Sequence, residues 1–179
     1  VKISVISFTK TGQQLAERIR ESMDGEDIIT LYTKCSSQNA QELQATINRA
    51  NRTEQETNKA ETAVSQKNMT EESATVSKKP DTIAVTTSLS EWTGEQMAAH
   101  HALIFIGASG IAVRAIAPWI TDKLHDSPVL VADEMGQYVI PLLSGHVGGA
   151  NELAVRLAGA LGAIPVITTA TDLHDSFAV

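Results

Sequence analysis

The stretch V-I-P-L-L-S-G-H-V-G-G-A-N-E, residues 139–152, decides the fold of this chain. It begins with an extended apolar run, turns at Ser144 and Gly145, and continues into residues 150–161, where leucines recur every four positions. This pattern predicts a strand, a glycine-rich turn and a helix. Because the first N–H groups of a helix have no partner inside it, the turn is suited to binding an anion or a polar ligand atom. A turn that needs glycine only for its backbone is the alternative.

The composition of the chain narrows the classes of function. Its 179 residues can bury one good core or two small ones. Its formal net charge of −7, with only 4% aromatic residues, argues against a nucleic-acid partner. A single cysteine, Cys35, excludes an internal disulfide framework and suits a reducing compartment. Residues 102–120 are apolar, but they contain Arg114, which is costly inside a bilayer. We therefore expect a cytoplasmic protein with no membrane partner.

Residues 1–35 carry the pattern of a β-α-β unit. Alternating apolar residues predict a strand over 2–8, apolar residues four apart predict a helix over 13–23, and a second strand is predicted over 27–32. A helix between two strands favours parallel pairing. The turn before the helix lacks the glycine and lysine pattern of an ATP-binding loop.

Residues 36–80 differ in character from the rest of the chain. They contain no glycine and no aromatic residue, and they are crowded with Gln, Asn, Thr, Glu and Lys. Such a segment has too few apolar side chains to cover a core. We interpret it as a polar insertion or linker, either helical or disordered, without a chemical role.

Residues 81–179 repeat the pattern of strand, small-residue turn and helix. Strands are predicted at 82–87, 103–106, 129–132, 138–143 and 164–167. Helices are predicted over 89–100 with Ser90 as a cap, after the turn at 107–110, and over 150–161. The alternation indicates a three-layer, doubly wound α/β fold with a mainly parallel sheet. Because the chain does not begin with Met and stops abruptly, we expect a fragment of a longer protein.

Three of the predicted turns are expected to meet. They carry Gly12, Gly110, and the pair Gly148 and Gly149, and each follows a predicted strand. The carboxyl ends of parallel strands share one edge of a sheet, and ligands bind outside that edge in open α/β folds. We therefore expect the three turns to present their amides to one cleft.

Other polar positions have two interpretations each. Arg114 can reach a carboxylate or phosphate at the turn before it, or it extends to solvent and pairs with a neighbouring acid. Glu134 is an acid–base carboxylate or a polar residue of a hairpin turn. Residues 168–172, T-T-A-T-D, fit a ligand-binding strand end or an ordinary strand with a cap. Residues 32–34, Y-T-K, include no acid at the end of the second strand, which argues against NAD.

Four segments together resemble the CbiG family of cobalamin biosynthesis. They are G-A-S-G-I-A-V-R-A-I-A-P (107–118), D-K (122–123), P-L-L-S-G-H-V-G-G-A-N-E-L-A (141–154) and L-G-A-I-P-V-I-T-T-A-T-D (161–172). The resemblance is close over residues 102–178 and loose over 2–32, and residues 36–80 match nothing typical of the family. Members of the family continue into further domains, so the resemblance implies that the C-terminal domain of the family is absent here.

The resemblance implies a hydrolase, cobalt-precorrin-5A hydrolase, of anaerobic vitamin B12 synthesis. Such an enzyme opens a δ-lactone on a cobalt-containing corrinoid and releases acetaldehyde. The implied partners are the corrinoid substrate and other enzymes of the cobalamin pathway, and the oligomeric state stays open. Neither a cofactor nor a protein-bound metal is expected, because cobalt arrives inside the substrate. The alternative is a non-catalytic corrinoid-binding or tetrapyrrole-binding module whose chemistry resides in missing domains or in a partner enzyme.

Lactone hydrolysis needs an activated water and donors for the oxyanion. We expect His146 to be the general base, and Glu134 to orient it or to act as an acid. The N–H groups of Gly148 and Gly149, with Asn151, are expected to stabilise the developing charge. The remaining substrate-binding candidates lie in the predicted turns: Lys10, Gly12, Gly107, Ser109, Gly110, Arg114, Ser144, Gly145, Thr168, Thr169, Thr171 and Asp172.

Overall fold

Apolar, β-branched segments form a seven-stranded sheet within the part of the chain that the structure, a computed structural model, describes: residues 1–23, 25–34, 82–145 and 148–168. The strands are β1 (Lys2–Ser7), β2 (Ile28–Thr33), β3 (Ile83–Ala84), β4 (Ala102–Ile106), β5 (Val129–Ala132), β6 (Tyr138–Leu143) and β7 (Ile164–Pro165). Their spatial order is β3-β2-β1-β4-β5-β6-β7. All described residues belong to one unit, Val1–Lys34 with Asp81–Val179. The predicted polar insertion at 36–80 lies outside them.

Four α-helices in the described residues connect these strands: α1 (Lys10–Ser22), α2 (Leu89–Ala98), α3 (Ser109–Ile116) and α4 (Ala150–Leu161). Helix α1 begins at Lys10 rather than at residue 13, because Thr9 caps it and accepts a hydrogen bond from the Gly12 N–H. Helix α2 is capped by Ser88 and not by Ser90, in a reciprocal capping box with Glu91.

The sheet carries a hydrophobic core on each face. Ile3 and Val5 of β1 point to the face covered by α1 and α4, whereas Ile6 points to the face covered by α2 and α3. This alternation follows from the two-residue period of a strand. Burying each large aliphatic side chain contributes roughly 1.5–3 kcal/mol relative to leaving it exposed. The three-layer α/β class predicted from the sequence is therefore confirmed.

Strand direction is where the sheet departs from expectation. Strands β1 to β5 are parallel to one another, but β6 is antiparallel to β5, with Val139 opposite Ala132 and Leu143 opposite Val129. Strand β7 is parallel to β6. We call the edge where β1, β2, β4 and β5 end the carboxyl edge, and the edge where they begin the amino edge. Strand β6 therefore ends at the amino edge.

The order of the strands also locates the switch point of the sheet. The chain proceeds outward from β1 through β2 to β3, then returns to the other side of β1 with β4 and β5. In doubly wound folds the crevice between the two central strands, here β1 and β4, is where ligands bind, outside the carboxyl edge. None of the described helices is long and apolar enough to cross a membrane.

The antiparallel strands β5 and β6 form a hairpin, and a substitution of Gly136 in its turn tests that arrangement. Its φ of +66° is strained for other residues, and an added Cβ would lie 2.9 Å from Leu15 Cδ1. We expect Gly136→Ala to lower the free energy of unfolding by about 1–3 kcal/mol, measured by urea denaturation. The control is Gly159→Ala, because an added Cβ there meets nothing within 4 Å, and it should stabilise α4 by about 0.5–1 kcal/mol. A neutral Gly136→Ala would contradict the hairpin.

Candidate functional site

Strand direction divides the predicted site residues between the two edges of the sheet. The carboxyl edge holds those that follow β1, β4 and β5, namely Lys10, Gly12, Gly107, Ser109, Gly110, Arg114 and Glu134. The amino edge holds those that follow β6, namely Ser144, Gly145, Gly148, Gly149 and Asn151, and Thr168 follows β7 in the same direction. The other four, His146, Thr169, Thr171 and Asp172, lie outside the described residues.

The expectation that all the glycine turns share one cleft is therefore wrong. Strands of four to six residues separate the two edges, which corresponds to roughly 13–20 Å at about 3.3 Å per residue. Gly145 and Gly148, the nearest described residues on either side of His146, lie at the edge opposite Glu134. His146 itself lies outside the described residues, so the interpretation that Glu134 orients it stays a prediction.

At the carboxyl edge, the start of α3 offers main-chain donors. Its N-cap, Ala108, supplies no side-chain hydrogen bond, and Ser109 is exposed. Arg114 lies one turn further along, and its Nη1 donates to the Gly110 carbonyl oxygen at 2.6 Å. The exposed guanidinium is thereby folded back over the first turn of α3. The helix dipole and the arginine together favour a negatively charged group at this position.

The two glycines beneath this crevice have different roles. Gly12 is buried, and a Cβ there would come within 3.3 Å of both Ile106 Cγ2 and Ser7 Cβ, so it permits α1 to pack closely on the sheet. Its N–H donates to Thr9 Oγ1, which means that the prediction of an unpaired amide at Gly12 is wrong. Gly107 has a φ of +146°, and its N–H donates to the Ala132 carbonyl oxygen. It turns the backbone at the end of β4.

A hydrogen bond at the carboxyl edge joins the segment after β1 to the segment after β5. Thr9 Oγ1 donates to Glu134 Oε1 at 2.9 Å, and the two residues are 125 positions apart. Sequence reasoning passed over Thr9, although a threonine before a helix is a common N-cap. The neighbouring Asp133 has a structural role, because its carboxylate accepts from the N–H groups of Met135, Gln137 and Tyr138 in the hairpin turn.

At the amino edge, the turn after β6 satisfies its own amides. The N–H of Ala150 donates to the Ser144 carbonyl oxygen at 3.1 Å, and that of Asn151 donates to the Gly145 carbonyl oxygen at 2.9 Å. Ser144 has a φ of +57°, and a Cβ on Gly148 would lie 2.3 Å from Ser144 Cβ. The prediction of unpaired N–H groups at the start of α4 is therefore wrong for Ala150 and Asn151.

Asp126 anchors this turn, a contribution that sequence reasoning missed. The Ser144 hydroxyl donates to the Asp126 carbonyl oxygen at 2.7 Å. The buried Asp126 carboxylate accepts hydrogen bonds from the N–H and the hydroxyl of Thr121 at 3.0 and 2.9 Å. Burial opposes ionisation, but these hydrogen bonds outweigh it and lower the pKa of the Asp126 carboxyl below its ordinary value.

The described residues do not favour binding of a metal ion or of a dinucleotide. Within residues 1–23, 25–34, 82–145 and 148–168, no group of three or more His, Cys, Asp or Glu side chains is arranged to hold a metal ion. Strand β2 ends at Thr33, and the next residue is Lys34, whose Nζ donates to the Thr87 carbonyl oxygen. A dinucleotide-binding sheet would have an acid there to bind the ribose.

The fold defines a protein of the doubly wound α/β class, with the switch point of the sheet between β1 and β4. The sequence model of the family described as Cobalamin synthesis G N-terminal matches residues 91–172. Over this segment the chain is similar to the CbiG family. The resemblance seen in the motifs is confirmed.

Two relatives with assigned names each match less than half of the chain. The cobalt-precorrin-5A hydrolase of Salmonella typhimurium is 64% identical over 78 residues, which is 44% of this chain and 22% of that protein. The cobalt-precorrin-5A hydrolase of Priestia megaterium is 52% identical over 77 residues, which is 43% of this chain and 21% of that protein. The chain thus matches only about a fifth of the length of these relatives.

A solved structure supports the fold. The crystal structure of a cobalamin biosynthesis protein G homologue from Sulfolobus solfataricus superposes with a TM-score of 0.55 at 20% identity. The superposition covers 93% of this chain and 36% of that chain.

The carboxylate of Asp126 makes stability depend on pH. Because its folded pKa lies below the unfolded value, about 3.9, the ionised form stabilises the fold above that pH, and the contribution is lost as the pH falls through the folded pKa. We expect Asp126→Asn to be less stable than the unsubstituted protein at pH 7, and the difference to shrink below pH 4. Urea unfolding at pH 7, 5 and 3.5 measures it. Thr121→Val should show a weaker form of the same trend, and a difference independent of pH would contradict the assignment.

Proposed function

We propose that this chain is the N-terminal part of a cobalt-precorrin-5A hydrolase, which opens the δ-lactone of its cobalt-containing corrinoid substrate with release of acetaldehyde. The 64% identity to the Salmonella typhimurium hydrolase carries the proposal. The matched segment includes α3 and its preceding turn, the hairpin of β5 and β6, and the start of α4.

The geometry of the carboxyl edge supports binding of a substrate rich in carboxylates. The chain has a net charge of −7, so attraction to such a substrate must be local. The uncapped start of α3, the guanidinium of Arg114 and the exposed Lys10 at the start of α1 supply it. A helix terminus contributes only about 0.3–1 kcal/mol to binding an exposed anion, so several such groups are needed.

One observation favours the alternative of a corrinoid-binding module without catalysis. Glu134 and the described neighbours of His146 lie at opposite edges of the sheet. A reaction that uses both Glu134 and His146 on one bond is therefore not supported, and either one edge performs the chemistry or other parts of the polypeptide complete it. Acetaldehyde formation distinguishes the hydrolase from the binding module.

The test is to incubate the chain anaerobically with cobalt-precorrin-5A and to measure acetaldehyde through alcohol dehydrogenase and NADH. A full-length polypeptide that contains residues 1–179 is assayed in parallel. The proposal expects release by the full-length polypeptide. Corrinoid binding without any release would support the binding module, and neither binding nor release would refute both functions.

His146→Ala tests the predicted general base in the same assay. If His146 is the general base, we expect acetaldehyde release to fall by roughly 10²–10⁴-fold while corrinoid binding, followed by absorbance, is retained. His125→Ala is the control, because His125 is an exposed histidine of the loop before β5. Full turnover by His146→Ala would limit His146 to a packing or binding role.

Arg114→Gln examines the carboxyl edge. Losing the guanidinium should weaken corrinoid binding by roughly three- to tenfold, with a larger effect at low ionic strength. Equilibrium titration by absorbance measures this change. Arg18→Gln, on the exposed side of α1, is the matched control for a lost positive charge. Equal effects of the two substitutions would mean that Arg114 acts only through the net charge.

A further inference from the structure

The hydrogen bonds of Thr9 assign the direction of its hydroxyl proton. Thr9 Oγ1 accepts the Gly12 N–H at 3.0 Å and lies 2.9 Å from Glu134 Oε1. A hydroxyl carries one proton, and the Gly12 amide already points its own proton at the oxygen. The proton of Thr9 must therefore point to Glu134, so Oε1 is the acceptor of this hydrogen bond.

The Thr9–Glu134 hydrogen bond reaches across the end of β4. Strand β4 lies between β1, which precedes Thr9, and β5, which precedes Glu134. The side chain of Glu134 therefore crosses the end of β4, close to the switch-point crevice. Among the described residues, the hydrogen bond from Thr9 is the one that Glu134 makes, which leaves Oε2 open to a ligand.

Both ends of the bridge are held by rigid structure. Thr9 caps α1 by accepting the Gly12 N–H, and Gly12 lies so close to the sheet that an added Cβ would be 3.3 Å from Ser7 Cβ and from Ile106 Cγ2. Next to Glu134, the Asp133 carboxylate accepts three main-chain N–H groups of the hairpin turn. A carboxylate held in this way loses little further freedom when it acts on a substrate.

We propose that Thr9 is a positioning residue that holds Glu134 over the end of β4 as the proton acceptor of the lactone-opening step. The inference rests on the proposed function. As the water oxygen bonds to the lactone carbonyl carbon, one proton passes from water to Glu134. The bond between that carbon and the ring oxygen then breaks, and the ring oxygen takes the proton back. Glu134 begins and ends the step as a carboxylate, which replaces its predicted role as an acid.

Three substitutions of Thr9 separate positioning from helix capping. Thr9→Val removes the hydroxyl, Thr9→Ser retains it, and Thr9→Asp retains a cap for α1 but cannot donate to Glu134. In the full-length polypeptide we expect kcat for acetaldehyde release to fall about 10- to 100-fold in Thr9→Val and in Thr9→Asp. KM should stay within about threefold in Thr9→Val, and Thr9→Ser should restore most of kcat.

Thr93→Val is the control, because it removes a buried threonine hydroxyl that donates to the Leu89 carbonyl oxygen within α2 at 2.8 Å. It should leave kcat unchanged even where it lowers the melting temperature. A wild-type kcat in Thr9→Asp would reduce Thr9 to a helix cap and overturn the inference. So would an unchanged kcat in Thr9→Val, or an equal loss in Thr93→Val. If the unsubstituted protein releases no acetaldehyde, the proposed function itself fails.

Discussion

The short connection between β5 and β6 controls the arrangement of everything that follows it. Residues 133–137 join the two strands, and five residues cannot carry the chain back across the sheet, which takes about a dozen or more. The strands must therefore form a hairpin, and Asp133 stabilises its turn. As a consequence β6 ends, and α4 begins, at the amino edge. The stretch from 139 to 152 keeps its local structure but occupies the side of the sheet opposite to the other glycine turns.

Local structure in this chain could be predicted because local energies decide it. The predicted bounds of α4 match the observed Ala150–Leu161, and Gly162 follows in the left-handed conformation of a helix C-cap. Strand β5 and the extended segment of β6 were also placed at their observed residues. The start of α1 was missed by three residues, because the Thr9 cap brings Lys10, Thr11 and Gly12 into the first helical turn. Residues 9–12, T-K-T-G, resemble an ordinary turn unless Thr9 is recognised as a helix cap.

The site was harder to predict, since its contacts join distant parts of the chain. Arg114 was expected near the glycine turn before it. This contact could be predicted because residues four apart on a helix lie on the same face, as Gly110 and Arg114 do. The Thr9–Glu134 hydrogen bond depends on strand order, which periodicity does not contain. The direction of β6, however, could have been predicted from the sequence. A hairpin turn was one interpretation of Glu134, and the length of the connection excludes parallel pairing of β5 and β6.

Two turns of similar sequence therefore differ in the chemistry that they can supply. The turn before α3 has no side-chain cap, and Ser109 at the start of this helix is exposed at the carboxyl edge. The turn before α4 directs the amides of Ala150 and Asn151 to its own carbonyl oxygens, and the Ser144 hydroxyl ties it to Asp126. Forming the turn at the amino edge has therefore already used these two N–H groups, whereas no side chain caps the start of α3 at the carboxyl edge.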